Sequence, residues 1–363
     1  MTNDVAELKQ FAGVHAQAQR ISRAQYEAVL ARITHDGEGP GSWTAEWSEA
    51  ARERERSGDP LAASRLYTMA RFPYVDGETR RRAWAASVAA FERWRSDQGA
   101  DLRTVDVDAD GGRVRCYVTG TVRPDAPFVV VLGGIVSTKE QWAPILLRLS
   151  RLGISGAVTE MPGTGANTVP YDGEAWRMFP AVLDAVAAHA GRGPRYAMAM
   201  SFSGHLALRC ALAEPRLRGI LTVGAPVHAV FADAAWQHRL PRITGDTLAH
   251  LTGVDRAGLG DRMRGWALTP EQLAAVDVPV AYVASKRDEI IPAHDVRLLR
   301  DHVRYLSLLE NDDVHGSPRH NRVIGPWLSK ELLRMNRSGG VRRAVLGSLV
   351  PLLRATGGLR RKR

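Results

Sequence analysis

The spacing of apolar positions changes character along this chain of 363 residues. Up to about residue 98 it follows a helical period. Leu8, Phe11, Val14 and Ala18 share one face, and Tyr26, Val29, Leu30 and Ile33 share the next. After the turn Gly37-Glu38-Gly39-Pro40-Gly41, Trp43, Trp47 and Ala50 open a third helix, which stops at Ser57-Gly58-Asp59-Pro60. Pro60 suits the first position of the following helix, whose inward face is Leu61, Ser64, Tyr67 and Met69. Trp84, Val88, Phe91 and Trp94 mark a fifth. No second copy of this pattern recurs at a fixed period, so residues 1–98 read as a helical cap domain and not as a repeat array.

At Gly99 the period falls to two, and residues 102–107 and 114–118 around Asp110-Gly111-Gly112 predict a hairpin. A continuous apolar run follows at Phe128–Leu132, as a strand buried on both faces requires, and further buried strands are expected at Ile154–Val158, Tyr196–Met200, Gly219–Val223, Val280–Ala284 and Tyr305–Leu309. Helical patterns at Gln141–Leu152, Trp176–Ala190, His205–Ala213 and His294–Val303 alternate with them. This alternation predicts an α/β fold with a doubly wound, mostly parallel sheet over residues 99–333. The stretch from about 227 to 277 is too long for one crossover and predicts lid helices, with Trp236 and Trp266 as substrate-binding candidates.

In such sheets chemistry gathers at the carboxyl ends of strands. The run Tyr196–Met200 ends in Ser201-Phe202-Ser203-Gly204 and then a helix, the layout of a nucleophile elbow with Ala199 and Ser203 where glycines are usual. A serine capping a helix is the plainer reading of that stretch alone. The partners decide between them. The strand ending at Ala284 leads into Asp288, and the next into His315, so nucleophile, acid and base occur in the order Ser201, Asp288, His315. A hydroxyl needs a base to take its proton, and the imidazole needs a carboxylate to fix its tautomer. Glu289, Asp312, Asp313 and Asp233 are rival acids, and His302, His320 and His205 rival bases. An oxyanion hole would use the N–H of Phe202 and one from Gly134 or Ile135 in the loop after Leu132. Glu160-Met161-Pro162-Gly163-Thr164-Gly165 either lines the pocket or turns the chain.

Composition narrows the classes. The net charge is +10, but nine basic residues and no acid lie between Arg334 and Arg363, so 10 − 9 leaves +1 for the body. A nucleic-acid partner is therefore not expected. Cys116 and Cys210 have no metal-ligand spacing, the chain opens without a secretory pattern, and no window is apolar enough to span a membrane. A cytoplasmic protein without metal, and without a nucleotide cofactor since no G-x-G-x-x-G or P-loop follows the early strands, is the expectation. The basic amphipathic tail, residues 334–363, has Pro351 to interrupt any helix. A membrane-surface helix, a disordered end and a helix exchanged within a homodimer compete, and the last is favoured.

The succession of Leu132-Gly133-Gly134-Ile135, Met161-Pro162-Gly163-Thr164-Gly165, the Ser201 elbow, Asp288-Glu289-Ile290-Ile291-Pro292 and His315 behind a helical cap resembles the α/β-hydrolases related to the fermentation-respiration switch protein, over roughly residues 45 to 333. That group includes esterases, a dihydroxypseudooxynicotine hydrolase that cleaves a carbon–carbon bond, and fungal hydrolases that shorten pigment polyketides. Similar proteins of tetronate antibiotic pathways eliminate acetate. The resemblance implies an α/β-hydrolase fold and triad roles for Ser201, Asp288 and His315. It also implies oxyanion roles for Phe202 and Gly134, and an ester, thioester or activated ketone of polyketide type as substrate. An eliminase of the same fold is the alternative, and a non-catalytic binding module a third.

Overall fold

The computed structural model describes residues 3–97, 102–120 and 123–359, so the boundary read at 98/99 lies outside the described residues. Five helices come first: α1 (Val5–Ala18), α2 (Arg23–Arg32), α3 (Trp43–Arg56), α4 (Pro60–Arg71) and α5 (Glu78–Asp97). Side chains of Asp4, Ser22, Ser42 and Asp59 accept from first-turn N–H groups of the first four, and Pro60 occupies the first turn of α4. Trp43, Trp47, Leu66 and Met69 are buried in the core these helices share.

The remainder alternates. The hairpin β1 (Leu102–Ala109) and β2 (Gly112–Thr119) precedes β3 (Phe128–Leu132), α6 (Lys139–Trp142), α7 (Pro144–Arg151) and β4 (Ser155–Thr159). Then come α8 (Met178–Ala185), α9 (Ala187–Ala190), β5 (Arg195–Ala199), α10 (Phe202–Ala211) and β6 (Leu217–Val223). Five short helices, α11 (Ala229–Ala232), α12 (Ala234–Arg239), α13 (Arg242–Thr252), α14 (Leu259–Arg262) and α15 (Pro270–Ala274), fill the stretch read as a lid. The chain closes with β7 (Val280–Ser285), α16 (Ala293–His302), β8 (Leu306–Asn311), α17 (Asn321–Met335) and α18 (Gly340–Leu359).

The strands form one sheet in the order β1-β2-β4-β3-β5-β6-β7-β8, antiparallel through the β2–β4 pair and parallel beyond it. This is the α/β-hydrolase fold. Along β5 the pleat sends Ala197 and Ala199 into one core and Tyr196 and Met198 into the other, so the strand is covered on both faces. The order in which strands are added reverses between β3 and β5, which are neighbours, and a crevice opens at their carboxyl ends.

Two expectations need correction. The helix read over Gln141–Leu152 is two, because Pro144 cannot continue the ladder of α6 and instead starts α7. In the tail, Pro351 does not stop the helix: α18 runs through it and lies along α17 of its own chain, burying Val350. Proline removes one N–H donor and crowds the carbonyl four residues back, a cost that the packing of α18 along α17 offsets. The outward stripe of α18 leaves Val341, Val345, Leu349 and Leu352 exposed. Among the described residues, no helix is long and apolar enough to cross a membrane and no group of side chains could hold a metal ion.

Candidate active site

Ser201 sits between β5 and α10 with φ 56° and ψ −128°, a conformation unusual for a residue bearing a side chain. Its N–H donates to the Val223 carbonyl (2.9 Å) and its carbonyl accepts from Gly204 (2.8 Å), so the turn is pinned from both sides. Space explains why glycine stands at 204. A Cβ on Gly204 would lie 2.2 Å from Thr222 Oγ1 and 2.6 Å from Ala225 Cβ, so close packing of α10 on β6 demands glycine there. Position 203 carries no such demand, and the Ser203 hydroxyl, wholly buried, donates to the Met200 carbonyl at 2.9 Å.

His315 Nε2 lies 2.9 Å from Ser201 Oγ, and its Nδ1 lies 3.0 Å from both carboxylate oxygens of Asp288. Asp288 is fixed in turn, since its Oδ1 accepts from the N–H groups of Ile290 (2.9 Å) and Ile291 (2.8 Å). Burial works against the imidazolium of His315, but the Asp288 carboxylate, with Glu289 behind it, outweighs that and raises its pKa above the usual imidazole value. The rival acids are engaged elsewhere. Glu289 accepts from the His315 backbone N–H (3.0 Å), Asp313 pairs with His320 (2.9 Å), Asp312 pairs with Arg287 (2.7 Å), and Asp233 caps α12. Of the rival bases, His205 is buried against Phe231 with its Nε2 on the Trp266 carbonyl, and His302 ends α16.

The loop after β3 meets Ser201. A Cβ on Gly134 would come within 3.2 Å of Ser201 Cβ, while one on Gly133 would collide with Ser137 and Trp142 at 2.3 Å. Gly133 thus lets the loop fold and Gly134 lets it approach the serine. Among the described residues, the N–H groups of Gly134 and Ile135 have no acceptor, and the N–H of Phe202 opens the first turn of α10. The loop is braced from behind. Buried Arg71 of α4 donates to the carbonyls of Val136 and Pro73, and Thr164 Oγ1 donates to that of Ile135. Lys139 pairs with Glu140 (2.8 Å) and Glu160 (3.5 Å), all three almost wholly buried, and Glu160 also accepts from the N–H groups of Lys139 and Ala166. Burial pushes the Glu160 carboxyl up to about 7 against the pull of Lys139. The 160–165 segment therefore turns the chain and supports the loop, and it does not line the cavity.

Ser201, Phe202, Gly134, Ile135 and His315 open on a cavity of about 1510 Å³. Its walls include Trp142, Ile145 and Met200, and its roof is α1 with Phe11, Val14 and His15. His15 packs on Phe72 with ring centroids 4.7 Å apart and the planes tilted by 47°. Burial, then the charges of Arg71 and His315, depress its pKa to about 4, so the ring is neutral at pH 7. Sequence reasoning placed Phe11 on an apolar face and passed over His15, one turn later on the same face. Trp236 and Trp266, expected to bind substrate, do not reach this cavity. Trp236 Nε1 donates to the Ile290 carbonyl (2.8 Å), and Trp266 packs on Tyr171 and Phe231 in the core. Of the lid stretch, Pro241, Ile243 and Thr244 do line the cavity.

A family model described as FrsA-like, esterase FrsA-like, matches residues 21–307. Esterase FrsA of Photobacterium profundum is 23% identical over 361 residues, covering 86% of this chain and 85% of that protein. Esterase FrsA of Citrobacter koseri is 25% identical over 316 residues, covering 79% and 73%. Among solved structures, AbyA5 is 48% identical with a TM-score of 0.92, covering 97% of this chain and all of that one. The 2,6-dihydroxy-pseudo-oxynicotine hydrolase, at 20% identity and TM-score 0.65 over 94% of this chain and 96% of that one, shares the fold.

Proposed function

The chain belongs to the FrsA-like esterase family and is a hydrolase of the α/β-hydrolase fold; from that premise we propose that it is a serine hydrolase in which Ser201, His315 and Asp288 form the catalytic triad. The observation that carries this reading is the linked pair of contacts Ser201–His315 and His315–Asp288 at the floor of the cavity. Ser201 Oγ attacks the carbonyl carbon while His315 Nε2 takes its proton, and Asp288 stabilises the resulting imidazolium. The oxyanion is received by the N–H groups of Phe202 and of Gly134 or Ile135, which are preorganised by the braces described above. His315 then returns the proton to the leaving group, and water activated by the same imidazole releases the acyl group from Ser201. The apolar walls suit an ester, thioester or activated ketone of a mainly apolar or aromatic, polyketide-type substrate.

His15 favours a second reading of the same site. A second, neutral imidazole roofs the cavity and can donate a hydrogen bond to a departing carboxylate, which suits elimination of an acyl group after His315 removes a carbon-bound proton. A fluorophosphonate probe tests the first reading: one adduct on the chain, lost in Ser201→Ala, is expected. Absence of an adduct on the native chain would remove the nucleophilic mechanism. Turnover in oxygen-18 water then separates the two, because hydrolysis places the label in the released acid and elimination does not.

A further inference from the structure

Six large apolar side chains are exposed among the described residues, and four of them, Val341, Val345, Leu349 and Leu352, lie on α18. A fifth, Leu152, shares a groove with Val341 beside the first turn of that helix. Scattered singly, such residues need no explanation, but gathered on one element they mark a surface made to be covered. The opposite face of α18 is already used, since Val350 and Leu353 pack on the core that holds Trp327 and Leu328 of α17. Val341, Val345 and Leu349 follow at intervals of four and so form one stripe, from 81% to 37% exposed.

Charge says what covers the stripe. Residues 334–363 hold nine basic side chains and no acid, and Arg342, Arg343 and Arg354 lie on α18 itself. Exposed arginines on other helices meet a carboxylate one turn away, as Arg23 meets Glu27 and Arg81 meets Glu78. Among the described residues, Arg342 and Arg343 have no carboxylate partner. A second copy docked through this stripe would set like charges against each other, and three side chains fall short of the about 800 Å² per partner that a stable dimer buries. An anionic lipid surface answers both features, because the apolar stripe enters the acyl boundary while the guanidinium groups meet phosphates. The helix also adjoins the cavity. Val341 and Arg342 border a groove of about 380 Å³ with Leu152, Ile154 and Leu333, and the last three also line the cavity that holds Ser201.

We propose that α18 docks the protein on an anionic lipid surface, and that an apolar substrate passes from that surface along Leu152 and Leu333 towards Ser201. The second half rests on the reading of the cavity as the substrate cavity of a Ser201 hydrolase.

Sedimentation of the full chain with phosphatidylglycerol and with phosphatidylcholine vesicles tests the docking. Binding to the anionic vesicles is expected to be at least about tenfold tighter, as arginines at such a surface supply, and to weaken in about 0.5 M sodium chloride, which screens charge within a few ångströms. The triple variant Val341→Gln/Val345→Gln/Leu349→Gln and, separately, Arg342→Gln/Arg343→Gln are each expected to weaken it by about tenfold or more. Arg81→Gln/Arg82→Gln on α5 removes equal charge from another exposed site and is expected to change it by less than about twofold. p-Nitrophenyl laurate carried in the anionic vesicles should be hydrolysed about tenfold more slowly by both tail variants, while dissolved p-nitrophenyl butyrate is turned over at the native rate. Equal affinity for the two lipids, binding untouched by either tail variant, a dimer in solution that the triple variant dissociates, or equal laurate rates in native and variant chains overturns the proposal. Sedimentation needs no turnover and can be repeated with Ser201→Ala. An inactive native chain would therefore sink the hydrolase reading, while the docking surface stands or falls on vesicle binding alone.

Discussion

Gly224 offers a sharp test of the triad geometry. It follows β6 with φ +62°, and a Cβ built on it would lie 2.8 Å from His315 Cε1, 3.1 Å from Nδ1 and 3.5 Å from Asp288 Oδ2. Carbon atoms in contact prefer about 3.5 Å, so Gly224→Ala obliges the imidazole to withdraw by about 0.7 Å. The Ser201–His315 bond, now 2.9 Å, then stretches towards lengths at which it no longer counts as a hydrogen bond. Misplacement on the scale of 1 Å costs on the order of 10²-fold in rate. Alanine at a positive φ also carries about 1 to 2 kcal/mol of backbone strain whatever surrounds it. Gly253 supplies the control, since its φ is +71° and nothing lies within 4 Å of where a methyl group would stand. Gly224→Ala and Gly253→Ala should therefore lower the melting temperature alike, by a few degrees. Only Gly224→Ala should slow fluorophosphonate labelling and p-nitrophenyl butyrate hydrolysis, by on the order of 10²-fold. Rates for the two variants within about threefold of each other would refute the reasoning, because strain alone would then explain both.

Asp288→Asn should leave the fold intact and lower the labelling rate by roughly 10⁴-fold, the scale for loss of the group that orients a catalytic imidazole. Since Asp288 raises the His315 pKa and the reaction needs neutral His315, the residual activity of this variant should keep its acid limb at lower pH than the native chain; a limb that does not move argues against the pairing. Lys139→Met leaves Glu140 and Glu160 buried with less compensation and should cost about 3 to 5 kcal/mol in urea unfolding, whereas a change under about 1 kcal/mol would show those carboxyls to be neutral. His15 and His205 are neutral in the fold, with pKa values depressed to about 4 and about 3. On unfolding each takes up a proton below about pH 6.5, so stability is full above that pH and falls as it is lowered, by about 1.4 kcal/mol per unit for each ring. Melts between pH 7 and 5 should show this slope, and His205→Asn should flatten it.

Much of this was legible in the chain. Runs of five largely apolar residues announced the parallel sheet, and the order of Ser201, Asp288 and His315 after their ends announced the candidate site, because both signals are local. What was not legible depends on contacts between distant segments. The requirement for glycine at 204 and not 203 comes from Thr222 and Ala225 on another strand end, so a motif centred on Ser201 carries no trace of it. Trp236 and Trp266 have the composition of a binding lid, yet their partners, the Ile290 carbonyl and Tyr171, lie far off in sequence. His15 was hidden by the same cause: its helix reads as a core helix until α1 is seen to roof His315. Pro144 was present to be read, and the helical period on either side of it masked the break.

Arg71 belongs to the helical half, yet it holds the backbone of the loop that faces Ser201, and it lies close enough to Glu160 and Glu140 to answer their charge. The two halves are therefore not interchangeable modules. A catalytic half joined to a foreign cap that lacks an arginine at this point would carry excess buried negative charge behind its own reaction centre. Exchange of the helical half therefore has to carry the arginine with it, whereas side chains of α1 can be altered without disturbing that bond.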